Sequence, residues 1–149
     1  MELYHGTIRE YARHILKEGL RPHPENAFHV NRIPVHGDRV YLARTFYNAK
    51  VFAKIRAAYV EMQPGESRLF PEMSDYVPLM KAEDGQPARS DIDTTPIVLS
   101  FDVSADKWGE DEDSLSEADE TCICTIPPEK VKKIWEFRDG EWIATRRLA

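Results

Sequence analysis

The sequence predicts an α+β domain with its helices early and its strands late. Two segments, near residues 8–18 and 45–59, carry apolar residues at helical spacing, and strand-like segments follow from residue 96 onward. The third sign is Asp139-Gly140, a two-residue hairpin turn between the last two strands. Such an order predicts two small antiparallel sheets packed on each other and flanked by the two N-terminal helices. With 149 residues, 42% hydrophobic and 31% charged, the chain suits a single domain over 1–149.

Residues 2–5 form a short apolar strand. Thr7-Ile8-Arg9-Glu10 follows the Thr-x-x-Glu pattern in which a cap hydroxyl and the carboxylate three residues on satisfy free backbone donors, so a helix is expected from about Ile8. Its apolar positions Ile8, Tyr11, Ala12, Ile15 and Leu16 share one face, and Gly19 ends it. Residues 20–38 hold Pro22, Pro24, Pro34 and Gly37 without a period and read as a long loop before a strand at 39–43. Thr45 suits the cap of a second helix running to about Tyr59, with Ala49, Phe52, Ala53, Ala57 and Val60 inward.

From Gln63 to Thr95 the chain is rich in Pro, Gly, Asp and Glu, yet Leu69-Phe70 and Tyr76-Val77-Pro78-Leu79-Met80 are apolar enough to pack, which predicts an insertion rather than a linker. Pro96 to Val103 is the strongest strand signal and is expected to be central. The acidic block at 104–119 predicts a solvated loop because like charges repel. Thr121–Ile126, Val131–Phe137 and Trp142–Thr145 read as the remaining strands.

A net charge of −6 argues against broad, non-specific attraction to nucleic acid. Arg9, Arg13 and Lys17 recur at four-residue steps and predict a solvated basic stripe. No apolar run approaches the roughly 20 residues a bilayer requires, and no secretory signal pattern opens the chain, so no membrane association and a cytoplasmic location are expected. Cys122 and Cys124, two apart on one strand, point the same way and are expected to stay reduced.

Two motifs bear on chemistry. Leu3-Tyr4-His5-Gly6-Thr7 closes the first strand and runs into the first helix; Val40-Tyr41-Leu42-Ala43 precedes the second. Their order and context resemble the NAD-binding half of the His-Tyr-Glu ADP-ribosyltransferases, the diphtheria-toxin and poly-ADP-ribose-polymerase type, over about the first 55 residues. The resemblance implies that fold, NAD as substrate, and no metal. It implies that His5 bonds a ribose hydroxyl, that the Gly6 backbone clamps the nicotinamide carboxamide, and that Thr7 lines the pocket while capping the helix. Tyr41 and, eleven residues on, Phe52 would sandwich the nicotinamide ring, with Ala43 beside them. Ala49 stands where the polymerases carry a serine, which points to transfer of single ADP-ribose units.

Breaking the nicotinamide–ribose bond passes through an oxocarbenium-like state, so a carboxylate at the ribose is required. In the resembling enzymes a glutamate opens a late strand; here Glu120 has that place, with Glu117 as the alternative. His29 and His36 lie in the loop at 20–38, which the resemblance makes a lid over the dinucleotide, and are expected to be exposed; Arg32 in that loop and Arg39 just after it are the phosphate candidates. The expected function is therefore mono-ADP-ribosyl transfer from NAD to a macromolecular acceptor, protein or nucleic acid, in a toxin-like, phage-effector or nucleic-acid-modifying role. Two other readings stay open. The RNA 2′-phosphotransferases share the opening motif but carry a further N-terminal domain and a His-Val-His-Leu second motif. A non-catalytic NAD- or partner-binding protein, such as an inhibitor of a host system, is the other.

Overall fold

A computed structural model describes residues 1–21, 40–61, 66–69, 79–81, 91–104, 109–110, 119–122 and 125–148; at 41, 59, 67–69, 79–81, 109–110 and 119–122 the description is of the backbone. The elements are β1 (Glu2–Ile8), α1 (Arg9–Glu18), β2 (Val40–Ala43), α2 (Phe46–Glu61), β3 (Ser67–Leu69), β4 (Leu79–Lys81), β5 (Pro96–Asp102), β6 (Gly109–Glu110), β7 (Asp119–Cys122), β8 (Val131–Arg138) and β9 (Glu141–Thr145). A 3-10 turn at Pro128–Lys130 leads into β8.

The class is α+β. The expected pair of packed sheets is not seen among the described residues. Among the described residues, seven strands make one antiparallel sheet in the order β6-β7-β2-β1-β5-β8-β9, and β3 pairs with β4 as a separate ribbon inside the insertion. The reason lies in β1, which uses both of its edges. On one side it pairs with β5 along its whole length, from Glu2↔Asp102 to Ile8↔Pro96. On the other it meets β2 through the single register pair Tyr4↔Ala43, which joins a β6-β7-β2 part to a β1-β5-β8-β9 part.

The two helices cover opposite faces. Strand alternation sends Leu3 to the α1 face, where it joins Ala12, Ile15, Leu42, Ile97, Leu99, Phe101 and Ile134 in the main core. Val98 and the Gly6 position take the other face, under Ala49 and Ala53 of α2. β5 is buried on both faces from Ile97 to Phe101, in keeping with a run that is apolar except at Ser100.

Local signals hold at several ends. The Thr45 hydroxyl accepts the Asn48 N–H at 3.1 Å and caps α2. Gly19, at φ +94°, closes α1 with its N–H on the Ile15 carbonyl, and a Cβ there would meet the Ile126 carbonyl oxygen at 2.6 Å. Asp139 and Gly140 both adopt positive φ, the requirement of the tight hairpin that joins β8 to β9.

The amino end of α1 is different from the expected capping box. β1 continues through Thr7 to Ile8, the cap residue makes no side-chain hydrogen bond, and Thr7 is buried opposite Ile97. The free donors go instead to the 93–95 segment: the Arg9 N–H bonds the Thr95 carbonyl at 2.9 Å and the Glu10 N–H the Asp93 carbonyl at 3.1 Å. Arg9 likewise leaves the expected solvated stripe. Its guanidinium pairs with Asp93 at 2.8 Å and with the buried carboxylate of Glu136, which also forms an ion pair with Arg138 at 3.2 Å. Burial acts to raise the Asp93 pKa, but the Thr95 hydroxyl and amide and the Arg9 guanidinium outweigh it and hold the carboxyl at about 2.

Candidate functional site

The geometry of interest starts from the hydrogen-bond parity of β1. Met1 and Val103 exchange backbone bonds at 3.1 and 2.8 Å, and the Arg9 N–H bonds Thr95. Antiparallel ladders alternate, so the odd-numbered residues of β1 direct their N–H and C=O to β5 and the even-numbered ones direct theirs to the β2 side. Tyr4 uses that side in its pair with Ala43. Gly6 is next along, and no bridge between β1 and β2 beyond Tyr4↔Ala43 forms among the described residues. The Gly6 amide and carbonyl therefore face a gap in the ladder, opposite position 41.

The sheet brings the three motif strands together: β7, β2 and β1 are consecutive neighbours. β2 pairs fully with β7, Tyr41 opposite Thr121 and Leu42 opposite Glu120. Position 120 thus falls on the pleat face of Leu42, which is the α1 face, as does His5, two residues from Leu3. Position 41 falls on the other face, with Ala43. His5 itself is half-buried. The gap between β1 and β2 is where one ligand would be reached from both faces.

α2 explains why position 6 is glycine in a way that spacing did not suggest. A Cβ on Gly6 would collide with the carbonyl oxygen of Ala49 and stand 2.6 Å from the Ala53 nitrogen. The space that a side chain would fill is occupied by the helix backbone, so Gly6 is where α2 lies directly on the sheet. Ala49, fully buried, and Ala43 belong to the same contact. The side chains of Thr7, Ala43 and Ala49 therefore meet protein, whereas the Gly6 backbone edge stays turned to the gap.

Phe52 was expected to face inward; it is 40% exposed. Helical phase puts it on the opposite flank of α2 from Phe46, and Phe46 lies against Trp135 of β8 and Trp142 of β9, with ring centroids 4.6 and 6.1 Å away. Phe52 accordingly stands on the flank toward β2. Tyr4 closes the aromatic cluster at 6.0 Å from both Phe46 and Trp135. Its hydroxyl donates to Glu2 at 2.7 Å, and that bond, with burial and the Glu2 charge, raises its pKa.

One acid escaped the sequence reading. Glu110, assigned to a solvated loop, lies on β6 directly opposite Glu120 in the ladder with β7. Only the register reveals it, since nothing local marks Gly109–Glu110 as a strand. Glu117, His29, His36, Arg32, Arg39 and Cys124 lie outside the described residues. Cys122 ends β7 opposite Val40.

No family model matches the chain, and no match is found among curated proteins or solved structures.

Proposed function

We propose that the chain is a mono-ADP-ribosyltransferase that takes NAD as its substrate, releases nicotinamide and passes ADP-ribose to a macromolecular acceptor. The observation that carries this reading is the gap beside Gly6. A primary carboxamide offers one carbonyl acceptor and an amide donor, the complement of the one N–H and one C=O that Gly6 directs there. Phe52, exposed on the β2 flank of α2, supplies a ring for stacking, and Tyr41 is the other member of the sandwich. His5 holds the ribose. Glu120 stabilises the cation that develops as the nicotinamide–ribose bond breaks, and takes the proton of the acceptor group as the new bond to the anomeric carbon forms.

The test is NAD titration with measurement of released nicotinamide, in a lysate that supplies acceptors. The expected result is labelling in the wild type and a loss of at least a hundredfold in His5→Ala, Tyr41→Ala and Glu120→Gln, the order expected when a group acting in the transition state is removed. Binding of NAD without nicotinamide release would replace the transferase with a non-catalytic binding protein, and absence of binding would remove NAD altogether.

A further inference from the structure

Away from the gap, the other flank of α2 and strand β9 form a shallow groove of about 160 Å³ lined by Tyr47, Lys50, Val51, Lys54 and Trp142. Tyr47 is 60% exposed, a large aromatic surface left to solvent. The Lys50 ammonium stands 5.2 Å from the centroid of Phe46 and 5.5 Å from that of Tyr47, and Lys54 lies 4.7 Å from that of Phe137. Lysines of α2 therefore stand over rings of α2 and of β8 on one flank of the helix.

The charge of this element runs against that of the chain. The net charge is −6, yet α2 carries Lys50, Lys54 and Arg56, follows Arg44, and has no acid before Glu61, its last residue. Lys50 and Lys54 are one turn apart, a rise of about 6 Å. Enclosed small-molecule sites occupy roughly 300–1,000 Å³. This groove is smaller and open, so it suits a ligand that runs through it and gains from repeated contacts.

We infer that the α2–β9 groove binds single-stranded nucleic acid, with bases stacked on Tyr47 and Trp142 and successive phosphates held by Lys50 and Lys54. Ring faces and a short cationic track are the two components that unpaired strands require, and base–ring stacking tolerates any sequence. A duplex fits poorly because its base faces are already stacked within the helix. The inference stands independently of NAD chemistry, since the groove lies on the opposite flank of α2 from Phe52.

The experiment is fluorescence anisotropy of a labelled oligothymidylate titrated with the intact chain across a range of salt, with a duplex of matched length as the second probe. Binding of the single strand in preference to the duplex is expected, with a log–log salt slope of about −1.4 from two phosphate contacts. Tyr47→Ala lowers affinity roughly tenfold, the loss of one stacked base, and Lys50→Gln with Lys54→Gln flattens the slope. Tyr47 is exposed and both lysines are half-buried, and far-ultraviolet circular dichroism confirms that the variants fold. No binding at low salt, equal binding of duplex, or affinity unchanged by Tyr47→Ala and by the lysine pair each overturns the proposal.

Discussion

The two helices cover opposite faces of one sheet by different means. α1 packs through Ile15 and Leu16 onto Leu3, Leu42 and Phe101, a contact of large aliphatic and aromatic side chains. α2 packs through Ala49 and Ala53 onto Gly6, Ala43 and Val98, and its bulky partners Phe46, Trp135 and Trp142 stand to one side. In the first contact side chains separate the backbones; in the second the backbones nearly touch. The first tolerates loss of volume at a cost that depends on how well the site collapses, and the second tolerates no gain of it.

Gly6→Ala tests the difference most directly. The new methyl meets helix backbone rather than a movable side chain, so a loss of about 3 kcal/mol or more is expected in urea unfolding, near the upper end for overpacking. A loss under 1 kcal/mol would mean that α2 lifts from the sheet at no cost, and that the close contact is not needed for stability.

The helix starts sharpen the comparison. α1 begins on carbonyls and charges supplied from 93–95, whereas α2 begins on Thr45, one residue ahead of it. Asp93 is held at about 2, below the ordinary carboxylate value of about 3.9, so its contribution is complete above about pH 4 and is lost as pH falls toward 2. Asp93→Asn is expected to cost about 1–2 kcal/mol at neutral pH, allowing for its partial exposure, and to flatten the stability profile between pH 4 and 2. An unchanged acid limb in the variant would assign that limb to other carboxylates. Thr45→Ala has the smallest expected effect, about 1 kcal/mol with no pH dependence, read from the same unfolding midpoints.

Much of this was legible along the chain. The Thr45 cap, the Gly19 stop, the Asp139-Gly140 hairpin and the central strand at 96–102 each depend on a few adjacent residues, and such local preferences act wherever the segment lies. The misreadings share the opposite property. Thr7 has the right residues for a capping box, but pairing with Ile97, ninety positions away, extends the strand past it and hands the helix donors to the 93–95 carbonyls. Arg9 was read as solvated because its partners Asp93 and Glu136 are remote in sequence.

The candidate site divides in the same way. Sequence alone named His5, Gly6, Tyr41, Phe52 and Glu120 from motif order, and established an α+β chain whose helices precede most of its strands. Only the tertiary structure decided that these strands join in one sheet, that Gly6 turns its backbone to a gap while α2 occupies its Cβ space, and that Glu110 pairs opposite Glu120. The physical reason is that a strand's own residues set which of them alternate, whereas its partners, register and unpaired edge are set by segments that meet only on folding.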